Sequence, residues 1–310
     1  MEKRKLGASG LELSLVGLGT NNFGGRIDLE ASRKVIHRAL DLGVNHFDTA
    51  DIYGNSGGSE TVIGTVLGAR RKEVVLATKF GKPMAGSNET KRGNRRYVIS
   101  AVDASLKRLK TDWIDLLWMH EPDPATPIEE TFRALDELKK AGKVRHIGAS
   151  NFSPAELEAA AADAKKLGVE GFVATQDEYS LIERSIEKSL LPALKRLNLA
   201  LVPYFPLGGG ALTGKYRKGA PLPEGTRHTS GSDRFLKPHW DTIEALAKFA
   251  EGRGHTLLEL AMSWLAARPL VASIIAGATK PEQVETNAAS VGWKMTPAEV
   301  AEIDRLTAPT

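Results

Sequence analysis

Asn45-His46-Phe47-Asp48-Thr49-Ala50-Asp51-Ile52-Tyr53-Gly54 sets a carboxylate at the end of an apolar run and a phenol on the loop just beyond it. Two later stretches repeat the design. Val74-Val75-Leu76-Ala77-Thr78-Lys79-Phe80-Gly81 carries Lys79 at its end, and Leu116-Leu117-Trp118-Met119-His120-Glu121-Pro122 carries His120. Short apolar runs of this kind read as buried parallel strands, whose carboxyl ends all emerge on one face of an α/β fold. Asp48, Tyr53, Lys79 and His120 are therefore expected to converge. The chemistry of such a group is proton donation. A tyrosine hydroxyl has an ordinary pKa near ~10 and becomes a useful acid when a cation stabilises the phenolate left behind.

Outward from these stretches, an opening hairpin pattern (Lys5-Leu6 and Leu11-Glu12-Leu13 around Gly7-Ala8-Ser9-Gly10) is followed by alternating apolar runs and amphipathic segments. Strands are expected at 15–19, 44–47, 74–78, 113–118, 145–148, 172–175, 199–203 and 271–276. Thr126-Pro127-Ile128-Glu129, Ser153-Pro154-Ala155-Glu156 and Thr296-Pro297-Ala298-Glu299 each read as a helix start, with a hydroxyl to cap free N–H groups and a glutamate to reach back. The first of these helices is expected to bury Ile128, Phe132, Leu135 and Leu138 and to stop at Gly142; the second stops at Gly168. Eight strands with helices between them and no internal linker predict an α/β protein, a single (β/α)8 TIM barrel domain over 1–310 with an N-terminal β-hairpin and extra helices. An open doubly wound sheet is the alternative. Gly17-Leu18-Gly19-Thr20-Asn21-Asn22 lacks the third glycine of the dinucleotide fingerprint, which weighs against it. The segment 208–237, rooted in Gly208-Gly209-Gly210, has the length of a lid.

The 310 residues are 42% hydrophobic and 26% charged with a net charge of +4, a globular composition. The densest basic run, Lys91-Arg92-Gly93-Asn94-Arg95-Arg96, has no interleaved aromatics to stack on bases, so nucleic acid is not an expected partner. No apolar run approaches the ~18 residues of a membrane span, and Met1-Glu2-Lys3-Arg4-Lys5 begins no secretory signal, so a cytoplasmic location is expected. There is no cysteine, which excludes disulfides and thiol chemistry.

Phe47-Asp48-Thr49-Ala50 with Tyr53-Gly54, Thr78-Lys79, His120-Glu121-Pro122-Asp123, Gly142-Lys143-Val144-Arg145-His146-Ile147-Gly148-Ala149-Ser150-Asn151-Phe152 and Gly277-Ala278-Thr279-Lys280-Pro281-Glu282-Gln283-Val284 follow one another in an order that resembles the aldo-keto reductase family over nearly the whole chain. Pro206-Leu207 followed by Leu212-Thr213-Gly214-Lys215-Tyr216 resembles its bacterial reductase and potassium-channel β-subunit-like branch. The resemblance implies NADPH-dependent carbonyl reduction. Tyr53 would be the proton donor, Lys79 would lower the phenol's pKa, Asp48 would hold the ammonium, and His120 would orient and polarise the carbonyl.

For the cofactor, NADPH/NADP+, the resemblance places the nicotinamide against Ser150, Asn151 and Gln176, with its ring on Tyr204 and with Gly19, Thr20 and Asp48 nearby. Leu207, Gly209 and Lys215 would meet the pyrophosphate. Gly277, Thr279, Lys280, Gln283 and Asn287 would meet the adenosine phosphate, with Thr279 and Lys280 favouring NADPH. Asn21, Phe23, Trp118 and the loop 84–94 are expected walls of the substrate pocket, beside Tyr53 and His120. The expected partner is a small carbonyl compound.

Two motifs are decoys. Gly209 to Gly214 and Lys215 imitate a P-loop, but Tyr216 stands where a hydroxyl would meet magnesium. His120, Glu121 and Asp123 have no further histidine at zinc spacing, so no metal is expected. Departures from the family pattern are Asn21, Phe205 and Ala149. Competing readings are a nucleotide-binding redox sensor with little turnover and a Schiff-base enzyme built on Lys79.

Overall fold

The computed structural model describes residues 1–224 and 234–308. Its opening hairpin pairs β1 (Lys3–Lys5) with β2 (Glu12–Ser14) in the register Lys3 opposite Ser14. Eight parallel strands follow among the described residues: β3 (Val16–Gly19), β4 (His46–Asp48), β5 (Val75–Phe80), β6 (Ile114–Met119), β7 (Val144–Ser150), β8 (Ala174–Gln176), β9 (Ala200–Leu201) and β10 (Ile274–Gly277). From β3 to β9 each pairs with the next in sequence, and β10 returns to β3 with Ile274 opposite Val16. The last seam is closed by Leu201, whose N–H donates to the Leu270 carbonyl at 2.7 Å while its carbonyl accepts from Ala272 N–H at 2.9 Å. The fold is the expected (β/α)8 barrel.

The helices are α1 (Leu29–Asp41), α2 (Tyr53–Leu67), α3 (Arg95–Leu109), α4 (Ile128–Lys140), α5 (Pro154–Leu167), α6 (Leu190–Leu197), α7 (Trp240–Glu251), α8 (Leu257–Ala266), α9 (Pro281–Ala289) and α10 (Pro297–Leu306). Full capping boxes start α5 at Ser153 and α10 at Thr296, as expected, and also α8 at Thr256 with Glu259. Each cap stabilises its helix by about 1 kcal/mol. The box at Thr126 does not form. Asp123 takes the Thr126 hydroxyl at 2.7 Å, so α4 begins after Pro127 without a side-chain cap. Phe132, Leu135 and Leu138 are buried under α4 as anticipated, while Ile128 is only half-buried at its first turn.

Two apolar layers hold the barrel. One lies between strands and helices; the other fills the barrel itself and includes Ala77, Leu116, Trp118, Ala174, Val202 and Ile275. Leu6 and Leu13 of the hairpin join the inner layer and are fully buried, so the hairpin plugs the barrel. Trp118 fits inside because residue 148 has no side chain: a Cβ there would stand 2.3 Å from its ring.

Every expected strand is present, but most run one or two residues further toward their carboxyl ends, taking Asp48, Lys79, Met119, Ser150 and Gln176 into the ladder. Of the expected lid, residues 225–233 lie outside the described residues.

Candidate active site

Strand ends set the site. Asp48 closes β4, Lys79 is the second-last residue of β5, and His120 follows β6 with its N–H on the Phe80 carbonyl at 2.8 Å. Tyr53 opens α2, but the next four residues, Gly54 to Gly57, all have positive φ, so the phenol is carried on a loop rather than on a regular helix. Glycine is required at 54: φ is +65°, and a Cβ would stand 2.4 Å from the Phe23 carbonyl oxygen.

Lys79 donates from Nζ to Asp48 Oδ2 and to the Thr49 carbonyl at 2.9 Å. The other Asp48 oxygen accepts from Gln176 Nε2 at 2.8 Å. Lys79 and Asp48 are both buried, and a buried ion pair is tolerable when its remaining hydrogen-bonding capacity is filled in this way. The ammonium stands 4.9 Å from the centre of the Tyr53 ring, and the His120 ring meets Tyr53 edge-on at 6.0 Å.

Burial alone would lower the Lys79 pKa; the Asp48 carboxylate, with Tyr53 beside it, raises it above the ordinary lysine value. Burial likewise pushes the Tyr53 phenol up, and the nearby ammonium opposes that rise without cancelling it. A lowered phenol, the expectation from sequence, is therefore corrected. The two effects have the expected signs, but desolvation wins in this pocket. His120 is driven down to about 2 by burial and then by the charges of Lys79 and Lys82, so its imidazole is neutral.

Beneath the site lies a second polar layer. Thr20 Oγ1 donates to the Asp48 carbonyl at 2.9 Å, and Ser59 Oγ donates to the Thr20 carbonyl at 2.9 Å. Buried Glu60 accepts from Thr78 Oγ1 at 2.5 Å and from Arg108 Nε at 2.6 Å. Asp51 is also buried, and neither of its oxygens makes a well-aligned hydrogen bond; the Ile52 N–H gives it only weak support. Burial, followed by repulsion from Glu60, raises its pKa to about 7.

A cavity of about 620 Å³ runs from Tyr53 and His120 past the strand ends to Thr279, Lys280 and Gln283 at the start of α9. Gly19, Thr20, Asn21, Asp48, Ser150, Asn151, Gln176, Tyr204, Leu207, Gly209, Lys215 and Gly277 line it between those ends. Ser150 Oγ donates to the Gln176 carbonyl at 2.7 Å, and Asn151 Oδ1 accepts from the Tyr204 hydroxyl at 2.8 Å. Asn151 has φ of +62°, a conformation that asparagine tolerates better than most residues.

Four placements differ from expectation. Phe23 and Trp118 are fully buried and do not reach the cavity, Trp118 because it points into the barrel. Asn287 lies within α9 and is buried away from it. The loop 84–94 is not a wall either; its Arg92 donates from Nε to the Gly81 carbonyl at 2.5 Å and pairs with Glu121. Missed by sequence reading were Asn22, Arg26, Ile52, Lys82, Glu178 and Arg234, all of which line the cavity. Glu178 and Arg234 pair through two contacts of 3.0 and 2.9 Å. The usable signal was proximity in sequence, since Lys82 follows Lys79 by three residues and Glu178 follows Gln176 by two.

The model of the aldo/keto reductase family matches residues 15–308. The chain belongs to that family. This aldo/keto reductase is 38% identical over 294 residues to an uncharacterized oxidoreductase, YrpG, of Bacillus subtilis, covering 92% of this chain and 89% of the relative. It is 38% identical over 323 residues to a putative voltage-gated potassium channel subunit beta of Schizosaccharomyces pombe, covering 98% and 92%. It is 32% identical over 319 residues to an L-glyceraldehyde 3-phosphate reductase of Escherichia coli, again covering 98% and 92%. The family acts as oxidoreductases on small carbonyl compounds with a nicotinamide cofactor. The cavity of this aldo/keto reductase fits such a group: short amide and hydroxyl side chains gather near the phenol, and cations stand at Lys215 and Lys280 further along. No helix among the described residues is long and apolar enough to cross a membrane.

Proposed function

We propose that this aldo/keto reductase uses NADPH to reduce aldehydes or ketones to alcohols, with Tyr53 as the proton donor. The observation that carries the reading is the arrangement of Tyr53 beside Lys79 and His120 at one end of the cavity, with Lys79 held by Asp48. NADPH, when bound, supplies the hydride to the carbonyl carbon.

The chain's own groups attend to the oxygen. Tyr53, protonated because its pKa is raised, gives its phenolic proton to the carbonyl oxygen as negative charge develops there. Lys79 stabilises the phenolate that remains, and Asp48 keeps the ammonium in place. Neutral His120 offers an N–H to the same oxygen and fixes its position. Donors fixed in a buried pocket favour the charged transition state over the neutral substrate. Gly19, Thr20, Ser150, Asn151, Gln176 and Tyr204 would hold the nicotinamide half, and Leu207, Gly209 and Lys215 the pyrophosphate. Gly277, Thr279, Lys280 and Gln283 would hold the adenosine end, with Lys280 the cation for a 2′-phosphate.

NADPH oxidation against a panel of aliphatic and aromatic aldehydes tests this, with Tyr53→Phe in parallel. Loss of about 10²–10⁴ in turnover with NADPH affinity retained is expected for a general acid. Near-normal turnover in Tyr53→Phe removes Tyr53 from that role. Binding of NADPH with no turnover of any aldehyde would favour a redox-sensing subunit.

A further inference from the structure

The side chains proposed for the nicotinamide half come from separate strand ends, so their mutual placement has to be fixed between loops. One residue ties three of them. Asp177 directly follows Gln176, the last residue of β8. Its carboxylate Oδ1 accepts from the Asn151 N–H at 3.2 Å, in the loop after β7, and its carbonyl accepts from the Tyr204 N–H at 3.0 Å, in the loop after β9. Asp177 is buried and does not itself line the cavity, whereas Asn151, Gln176 and Tyr204 all do.

Asn151 is where this support matters most. Its φ of +62° lies in a region that residues with a side chain keep only where their surroundings hold them there. Three contacts do so. Asp177 takes the N–H, the side-chain amide donates to the His120 carbonyl at 2.9 Å, and the amide oxygen accepts from the Tyr204 hydroxyl at 2.8 Å. Asn151 therefore links the backbone of His120 to the ring proposed to stack on the nicotinamide, and Asp177 holds Asn151 from behind.

A carboxylate in that place can lose its charge. Burial raises the Asp177 pKa to about 6, against the opposing pull of the Thr175 hydroxyl and the Asn151 N–H. The groups that face it are Thr175 on its own strand, Asn151 after β7 and Tyr204 after β9. None of them is charged, since burial pushes the Tyr204 phenol up, and the adjacent Glu178 is paired with Arg234. No lysine or arginine among the described residues pairs with Asp177. Its bond to Asn151 is thus charge-assisted above about pH 6 and neutral below.

We propose that Asp177 is a positioning residue: through its bond to the Asn151 N–H it holds the wall that receives the nicotinamide, and the charge on its carboxylate sets how tightly that wall binds the cofactor. This rests on the proposed cofactor site and deepens it. A charge-assisted hydrogen bond is about twice as strong as a neutral one, so binding is tighter above the titration than below it.

The test is calorimetric titration of NADP+ into wild type and Asp177→Asn from about pH 5 to about pH 8. The isosteric variant keeps a neutral acceptor for the Asn151 N–H. The 2′-phosphate of NADP+ itself titrates near ~6, but it does so with both proteins and cancels in the ratio of their Kd values. That ratio, variant over wild type, should be near one at the acid end and rise about threefold to tenfold at the alkaline end. With NADPH and an aldehyde at the alkaline end, the KM for NADPH should rise more than kcat falls. A role confined to stability would leave the ratio independent of pH.

Two controls fix the route. Asn151→Gly keeps the N–H and accepts the positive φ but lacks the amide, so the pH trend should vanish in that background; a trend that persists means the charge acts on the cofactor directly and overturns the proposal. In the cofactor-free protein, the Asn151 backbone amide proton should titrate by NMR near about pH 6 in wild type and not in Asp177→Asn. Absence of that titration also overturns it. A flat Kd ratio with NADP+ well bound would sink the role of Asp177 and leave the reductase reading standing. The expected trend without turnover of any aldehyde would support Asp177 and sink only the reductase reading, and failure of wild type to bind NADP+ would sink both.

Discussion

Gln176 Nε2 donates to the one Asp48 oxygen that Lys79 does not use, across 2.8 Å and from a strand 128 residues further along the chain. The carboxylate is thereby fixed from two directions, and a residue of the proposed cofactor wall becomes part of the proposed proton-donor assembly. Gln176→Leu leaves a buried carboxylate oxygen unpaired, which should cost about 1–3 kcal/mol. Thermal unfolding should show a Tm lower by about 2–10 °C, and kcat should fall together with NADPH affinity. A variant with wild-type Tm and kcat would mean that this contact holds nothing in place.

His120 titrates near 2, so it should not change charge in the working range. The kcat/KM profile for carbonyl reduction is therefore expected to lack an imidazole limb near pH ~6.5. The raised phenol of Tyr53 should keep reduction supported into the alkaline range. A limb in that region that disappears in His120→Asn would show that the histidine works as a cation.

Asp51 supplies a stability prediction with a definite sign. Its folded pKa of about 7 lies above the ordinary aspartate value of 3.8, so between these pH values the folded chain keeps a proton that the unfolded chain has lost. Its contribution to stability is complete below about pH 4 and is lost as pH rises toward about 7, by up to roughly 1.4 kcal/mol per pH unit. Asp51→Asn carries no such penalty, so its Tm relative to wild type should climb from about pH 4.5 to about pH 8. A difference that stays flat across that range would show that Asp51 titrates normally.

Lys280→Ala tests the proposed choice of cofactor. Only NADPH carries the extra phosphate, so its Kd should rise about tenfold or more while that of NADH changes little. Equal weakening of both would assign Lys280 to the structure of the α9 start instead.

The barrel and the meeting of Asp48, Tyr53, Lys79 and His120 at its mouth were legible because their signals are local. An apolar run ending in a polar residue marks a strand mouth, and such ends share one face by topology. Facing was not legible. Phe23 and Trp118 sit beside site residues in sequence, but whether a strand-end aromatic such as Trp118 points to the cavity or into the barrel depends on the space left by Gly148, a strand away. Thr126 failed as a cap because Asp123, three residues back, competes for its hydroxyl, a contest that a spacing pattern does not register. Lys82 and Arg26 carry no motif at all. Their placement comes from Gly81 and from a turn at 22–27, which become cavity walls only after the strands on either side have assembled.

The hairpin that plugs the barrel ties an early part of the chain to a late one. Arg4 donates to the Val271 carbonyl at 3.1 Å, 267 residues away, and Gly7 lies against Val173 and Asn198. On a ribosome that releases the N-terminal side first, Leu6 and Leu13 have no burial site until most of the chain has been made. Leucines synthesised early are thus among the last to leave water. A chain ending before Val173 would lack most of the residues that cover them.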